Sequence, residues 1–409
     1  MNSSNDKMRQ ALRLTRSGDL HAATRVIQQA LGRAGPVTDP SSREPGATTA
    51  SPDGCIEGEF RVVDGGGASA AQTGTGADSR VAGRRPASWA RAWPRSAANQ
   101  PGAHPGVAPH VRRADRGHDA PGDFQLHRFT CGAGELTYKL FIPTDLETTG
   151  APLLLMLHGC TQTPDDFARG TRMNQLALEH GYVVAWPEQS VERNQNRCWN
   201  WFRGNDQQRG QGEPAILAGL TRQLVASHQL DAKRVYVAGL SAGGAMAAVL
   251  ASTHPDVYAA IGVHSGLPIG LASDIPSAFA AMRKGGGRRR GGLSAAATRP
   301  VPAIVFHGDS DKTVHPSNAD GVVEQSLGNG HRAPAGEGAV ERGSAAGGRS
   351  FTRTVHRDAE GRVAAEHWVV HGSAHAWSGG DAAGSYTDPG GPDASAQMLR
   401  FFGECARPA

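Results

Sequence analysis

The segment Gly239-Leu240-Ser241-Ala242-Gly243-Gly244 lies directly after the apolar run 235–238 and directly before the helix-forming stretch 245–250. A strand that must become a helix within so few residues needs a tight turn. The two flanking glycines remove the Cβ atoms that would strike the neighbouring strand and helix. Such a turn belongs to a sheet with helices packed on its faces, and the serine at its apex projects at the top of that sheet.

The rest of the chain agrees with that frame. Residues 136–142 alternate as a strand with one exposed face should, and 153–157 form a continuous apolar run suited to a strand buried on both faces. Further apolar runs occur at 183–186, 235–238, 261–263, 303–306 and 368–370, with helical stretches near 165–180, 214–228, 242–253, 316–327 and 393–402. The alternation predicts an α/β domain over 123–405, with a mostly parallel central sheet flanked by helices. The remainder of the 409 residues has a different character. Residues 7–32 carry apolar positions at helical spacing, broken by Ser17-Gly18-Asp19, which predicts an N-terminal helical hairpin within 1–34. From 35 to 122 the chain is Gly, Pro, Ala, Ser and Arg with few large apolar residues. Such a stretch buries too little surface to offset the entropy of ordering, and a disordered low-complexity linker is expected. Residues 285–297 and 328–348 share this composition and read as loop insertions, which closure entropy tolerates.

Composition excludes several classes. Hydrophobic residues make up 38% of the chain beside 54 Gly and 25 Pro, so a uniformly folded chain is not expected. No stretch approaches the roughly 18 to 20 consecutive apolar residues that span a bilayer. Net charge is +4, with Arg gathered at 84–116 and 283–290. Neither cluster sits on a periodic helix or beside interleaved aromatics, so both read as solvated segments and no nucleic-acid partner is expected. The five cysteines show no C-x-x-C pair and no histidine spacing of the zinc kind, which argues against a structural metal site. They leave room for one bridge, and Cys160 with Cys198 is the pair to test first. The N-terminus lacks the uninterrupted apolar core of about 7 to 15 residues found in a secretory signal, so the sequence by itself reads as cytoplasmic. Oligomeric state is not legible.

A serine hydroxyl is a weak nucleophile until a base takes its proton, so Ser241 implies a histidine and an acid to orient it. In this fold class the order is serine, acid, histidine. The run 303–306 leads into His307-Gly308-Asp309-Ser310-Asp311, placing two acids at a strand's C-terminal edge. Asp311 is favoured because its spacing lets the loop curl the carboxylate under the sheet edge, with Asp309 left as a turn or loop-capping residue. The run 368–370 leads into His371-Gly-Ser-Ala-His375. His375 is the better base, since it sits on the small-residue loop while His371 continues the strand. The oxygen of a tetrahedral intermediate needs two N–H donors. One is the backbone of Ala242, and the second is expected after the buried run 153–157, at Cys160. Trp199, Trp201 and Trp377 are candidate substrate-binding residues, with packing under a loop as the alternative.

Taken together, LLLMLHGCTQTPDDFA, WPEQS, RCWNWF, GLSAGGAMA, VFHGDSDKTVHPSNAD and HGSAHAWSGG resemble the polyhydroxybutyrate (PHB) depolymerase family of esterases, a branch of the α/β-hydrolases, in consistent order over 124–403. The resemblance implies a serine esterase that cuts ester bonds of poly(3-hydroxyalkanoates) or their oligomers through an acyl-enzyme. Carried over by motif, the nucleophile is Ser241, the acid Asp311 and the base His375. It implies no metal or organic cofactor, an ester substrate as partner, and an extracellular setting. Members that attack solid polymer typically carry a surface-binding domain after the catalytic one. With the sequence ending at Ala409, none is expected here. Carbohydrate esterases of the feruloyl or acetylxylan type are similar in fold and motifs and form the alternative. A noncatalytic interaction protein built on a hydrolase scaffold is the competitor from another class; it would show a missing triad member, and none is missing.

Overall fold

A strand that is apolar at every position needs cover on both faces. The computed structural model provides it at β4 (Leu153–Leu157), whose five side chains are all buried. The structure describes residues 61–62, 120–285, 300–328, 338–358 and 360–407, all within the unit Ala50–Ala409. The helical hairpin expected within 1–34 lies outside the described residues. So do the expected linker over 35–122, apart from 61–62 and 120–122, and residues 286–297 of the first loop insertion.

Among the described residues the first elements are β1 (Arg61–Val62), β2 (Gly122–Cys131), β3 (Gly134–Pro143) and β4, followed by α1 (Pro164–Thr171), α2 (Met173–His180) and β5 (Val183–Glu188). A 3-10 turn at Gly204–Gln207 precedes α3 (Gly212–Ser227). Then come β6 (Val235–Leu240), α4 (Ala242–Thr253), β7 (Ala260–His264), α5 (Ile275–Lys284), β8 (Ala303–Gly308) and α6 (Ser317–Leu327). The last elements are β9 (Ala339–Ser344), β10 (Ser350–Arg357), β11 (Val363–Val370), β12 (Trp377–Ser378), β13 (Thr387–Asp388) and α7 (Ala394–Gly403). Eleven strands make one sheet in the order β1-β2-β3-β5-β4-β6-β7-β8-β11-β10-β9. The six from β5 to β11 are parallel, and antiparallel strands extend both ends.

Alternate residues of the central strands feed two cores. Leu153, Leu155, Val235, Val237, Ala303 and Val305 join Met246 and Val249 of α4 on one face. Leu154, Met156, Tyr236, Ala238, Ile304 and Phe306 join Met398, Phe401 and Phe402 of α7 on the other. Tyr236 and Phe402 stack with centroids 4.7 Å apart, which fixes α7 across the sheet. Among the described residues no helix is long and apolar enough to cross a membrane.

Three features depart from the sequence reading. The helical stretch near 165–180 is two helices, broken where Arg172 takes φ 54° and donates its N–H to Arg169 O. Residues 339–344, expected within a loop insertion, form the edge strand β9 paired with β10. That strand is mostly exposed, so its polar residues carry no burial pattern to read. α5 begins at the capping box of Asp274 and Ser277, a signal present in the sequence and not used there.

The β6–α4 turn explains its glycines directly. A Cβ on Gly243 would lie 2.0 Å from Leu157 O, and one on Gly239 would lie 2.4 Å from the Gly243 carbonyl carbon. Both obstacles are backbone and cannot swing aside. Gly243→Ala is therefore expected to destabilise the protein by about 3 kcal/mol or more. Urea unfolding should show this as a lower midpoint with an unchanged slope.

Candidate active site

The apex of that turn is Ser241, buried and held at φ 57° and ψ −117°, a region a side chain enters only under strain. The bend is fixed from both sides. Ser241 N–H donates to His264 O at 2.9 Å, and Ala245 N–H donates to Ser241 O at 2.9 Å. The hydroxyl thus stands at the C-terminal edge of the sheet, at the N-terminus of α4.

Two loops bring an acid and a base to the same edge. β8 ends at Gly308, and the loop after it turns Asp311 inward. Asp311 Oδ1 accepts the N–H groups of Thr313 and Val314 at 2.8 and 2.9 Å, and Oδ2 accepts the Nδ1–H of His375 at 2.7 Å. His307 Nε2 lies 3.3 Å from the same Oδ2 while also donating to Val314 O. Burial alone would raise the Asp311 pKa. The facing His375 and the bonds from both imidazoles outweigh it and hold the carboxyl well below the usual range. An ionised carboxylate only accepts, so His375 carries a proton on Nδ1, and its other ring nitrogen, Nε2, is the one left for a reacting group.

The segment bearing His375 is clamped across the strand ends. The Trp377 ring stacks on His264 at 5.2 Å, and Ser378 N–H donates to His264 Nε2 at 2.9 Å. His264 is the register partner of Leu240, the residue before Ser241. Burial first, then the neighbouring His307 and His375, keep the His264 pKa well below the usual histidine value, so its ring stays a neutral acceptor. Among the described residues no hydrogen bond joins the Ser241 hydroxyl to His375.

Asp309 and His371 form a separate pair on the surface. His371 Nδ1 donates to Asp309 Oδ2 at 2.9 Å, and Gly372 N–H donates to Oδ1 at 2.7 Å, both groups 40% exposed. This pair ties the β8–α6 loop to the loop after β11.

Beside the end of β6, where Leu157 is the register partner of Gly239, the chain leaving β4 runs through His158 to Thr161. No protein acceptor among the described residues stands opposite the backbone N–H of Cys160 or of Ala242. Cys160 is disulfide-bonded to Cys198. Thr161, a β-branched residue at φ 69°, donates its N–H to Asn196 O at 2.7 Å. Burial lowers the His158 pKa to about 4, and its Nε2 accepts the Gln189 N–H. Trp199 and Trp377 are almost wholly buried, their indole N–H groups donating to His158 O and Ser395 Oγ. Trp201 is buried edge-on against Phe202. Sequence reasoning missed Glu213, Gln189 and Asn200, a buried polar cluster behind this loop. Only burial distinguishes them from ordinary loop polars.

The strand order and the strand–turn–helix at Ser241 are those of an α/β-hydrolase. The solved structure of acetyl xylan esterase from Aspergillus awamori shares the fold, at TM-score 0.51 and 17% identity, covering 66% of this chain and 94% of that one. The chain belongs to the Esterase PHB depolymerase family, whose model matches residues 136–344. It is similar to poly(3-hydroxyalkanoate) depolymerase C of Paucimonas lemoignei, 34% identical over 65% of this chain and 62% of the relative. It is also similar to poly(3-hydroxybutyrate) depolymerase of Ralstonia pickettii, 30% identical over 60% and 53%. The chain thus spans somewhat more than half the length of these relatives.

Proposed function

We propose that this chain is a serine esterase acting on the ester bonds of poly(3-hydroxyalkanoates) or their oligomers. In this reading Ser241 Oγ attacks the acyl carbon as His375 Nε2 takes its proton. The developing oxyanion is met by the N–H groups of Cys160 and Ala242, the latter at a helix N-terminus where the dipole favours negative charge. Collapse breaks the ester C–O bond, and the imidazolium returns its proton to the leaving alcohol. Water, deprotonated by the same nitrogen, then cleaves the acyl-enzyme to give the hydroxy acid and free Ser241. Asp311 holds the imidazole in the productive tautomer and balances its charge.

The observation that carries the reading is the buried Asp311–His375 hydrogen bond at the sheet edge where Ser241 is held in its strained turn. Family membership and the names of the two bacterial relatives support the substrate class. A parallel screen over polymer, hydroxybutyrate oligomers and xylan esters should show turnover of the hydroxyalkanoate substrates, with short p-nitrophenyl esters also cleaved. Turnover confined to acetylated or feruloylated xylan would remove the substrate class and leave the ester chemistry. No turnover of any ester, with no labelling by an organophosphonate, would remove both.

A further inference from the structure

Glu213, in the first turn of α3, is 3% exposed, and the hydrogen bonds its carboxylate accepts all come from residues 189–200. Its Oε2 accepts the backbone N–H of Asn200 at 2.7 Å, and its Oε1 accepts the side-chain amides of both Asn200 and Gln189. Each of these partners leads to the loop at 158–161. Gln189 donates its backbone N–H to His158 Nε2 at 3.1 Å and its side-chain amide to Cys198 O at 3.0 Å. Trp199 Nε1–H donates to His158 O at 3.1 Å, and Cys198 is bonded to Cys160. Asn200 Oδ1 accepts from Asn194 Nδ2, Asn194 Oδ1 accepts from Asn196 N–H, and Asn196 O accepts from Thr161 N–H. One carboxylate therefore organises the wall against which the Cys160 backbone rests.

We infer that Glu213 is a positioning residue: ionised, it holds residues 189–200 so that Cys160 N–H is aimed at the developing oxyanion. The inference rests on the oxyanion role proposed for Cys160. The chemistry of the partners requires the charged form. All three groups facing the carboxyl are donors, so an added proton, or the amide of a glutamine, would set donor against donor. Burial, with Asp206 of the neighbouring 3-10 turn adding to it, pushes the Glu213 pKa up to about 7. Asp206 Oδ1 accepts the Glu213 N–H at 2.7 Å, and Arg193 and Arg203 line the same polar cavity of about 370 Å³ that Glu213 and Asn200 border. Gln189 and Asn200 are neutral. The cavity gives protons a route to the carboxyl without unfolding. As pH falls through neutrality the wall should therefore loosen and turnover should drop, over and above protonation of the base.

The test is the pH profile of kcat and KM for a soluble aryl ester, in the wild type and in Glu213→Gln. Glu213→Gln should lower kcat by about 10- to 100-fold with KM changed far less, the signature of a misplaced oxyanion donor. The wild-type acid limb should be steeper than one proton, and that of Glu213→Gln should fall with one. An unchanged kcat in a folded Glu213→Gln overturns the inference. Should that variant fail to fold, the wild-type limb alone decides, and a one-proton slope is fatal. Trp199→Phe, which removes the indole N–H together with the five-membered ring that carries it, should also lower kcat more than it changes KM. A wild type that hydrolyses esters while these effects are absent refutes this inference and leaves the proposed function standing. An inactive, unlabelled wild type refutes the two together.

Discussion

Ser241→Ala is expected to lower ester turnover by about a millionfold while leaving the fold intact. The side chain lost is one oxygen at a bend whose conformation is set by backbone bonds to His264 and Ala245, and these persist in alanine. Binding and the backbone donors proposed at Cys160 and Ala242 remain, so a residual rate of about a thousandfold over water should survive. Single-turnover assays with an aryl ester would measure the loss, and organophosphonate labelling should vanish with it. Turnover within tenfold of wild type by the alanine variant would mean that another group attacks the ester.

Asp311→Asn should cost about four orders of magnitude in kcat, for a reason visible in the loop. The Thr313 and Val314 N–H groups both point at Oδ1, so the asparagine carbonyl must take that place. Its amide nitrogen then faces His375 Nδ1, which must become the acceptor, and the imidazole proton moves to Nε2. In the proposed mechanism the base is then blocked at the atom that has to receive the serine proton. Asp309→Asn provides the control. Its carboxylate is exposed and bonded to His371, and its loss should change kcat by no more than a few-fold. If Asp309→Asn were the crippling change and Asp311→Asn the mild one, the acid would have been assigned to the wrong residue.

The parts legible in the sequence are those where one short segment carries the whole constraint. The β6–turn–α4 junction is one, because two glycines, a serine and the flanking runs leave one local geometry, and the structure shows what each glycine avoids. The central parallel strands are another, since continuous burial leaves continuous apolar runs. The distinction between the two acid–histidine pairs rested on loop spacing alone, and the structure joins Asp311 to His375 and Asp309 to His371. The edge strand β9 escaped because exposed positions need no pattern. The break at Arg172 escaped because a left-handed arginine has no compositional mark. Glu213 escaped for a deeper reason. A glutamate between a glycine and a proline reads as a solvated helix start, and only the packing of a distant loop turns it into a buried acceptor.

The backbone angles at residue 241 also bear on how this molecule could be improved. A non-glycine residue held in such a region costs of order 1 to 3 kcal/mol, a sizeable part of a typical domain's margin. Glycine would sit there at ease. Engineering campaigns that score heat tolerance without assaying catalysis would thus be rewarded for deleting the very hydroxyl on which the proposed chemistry depends, and robustness and usefulness pull in opposite directions at this one bend.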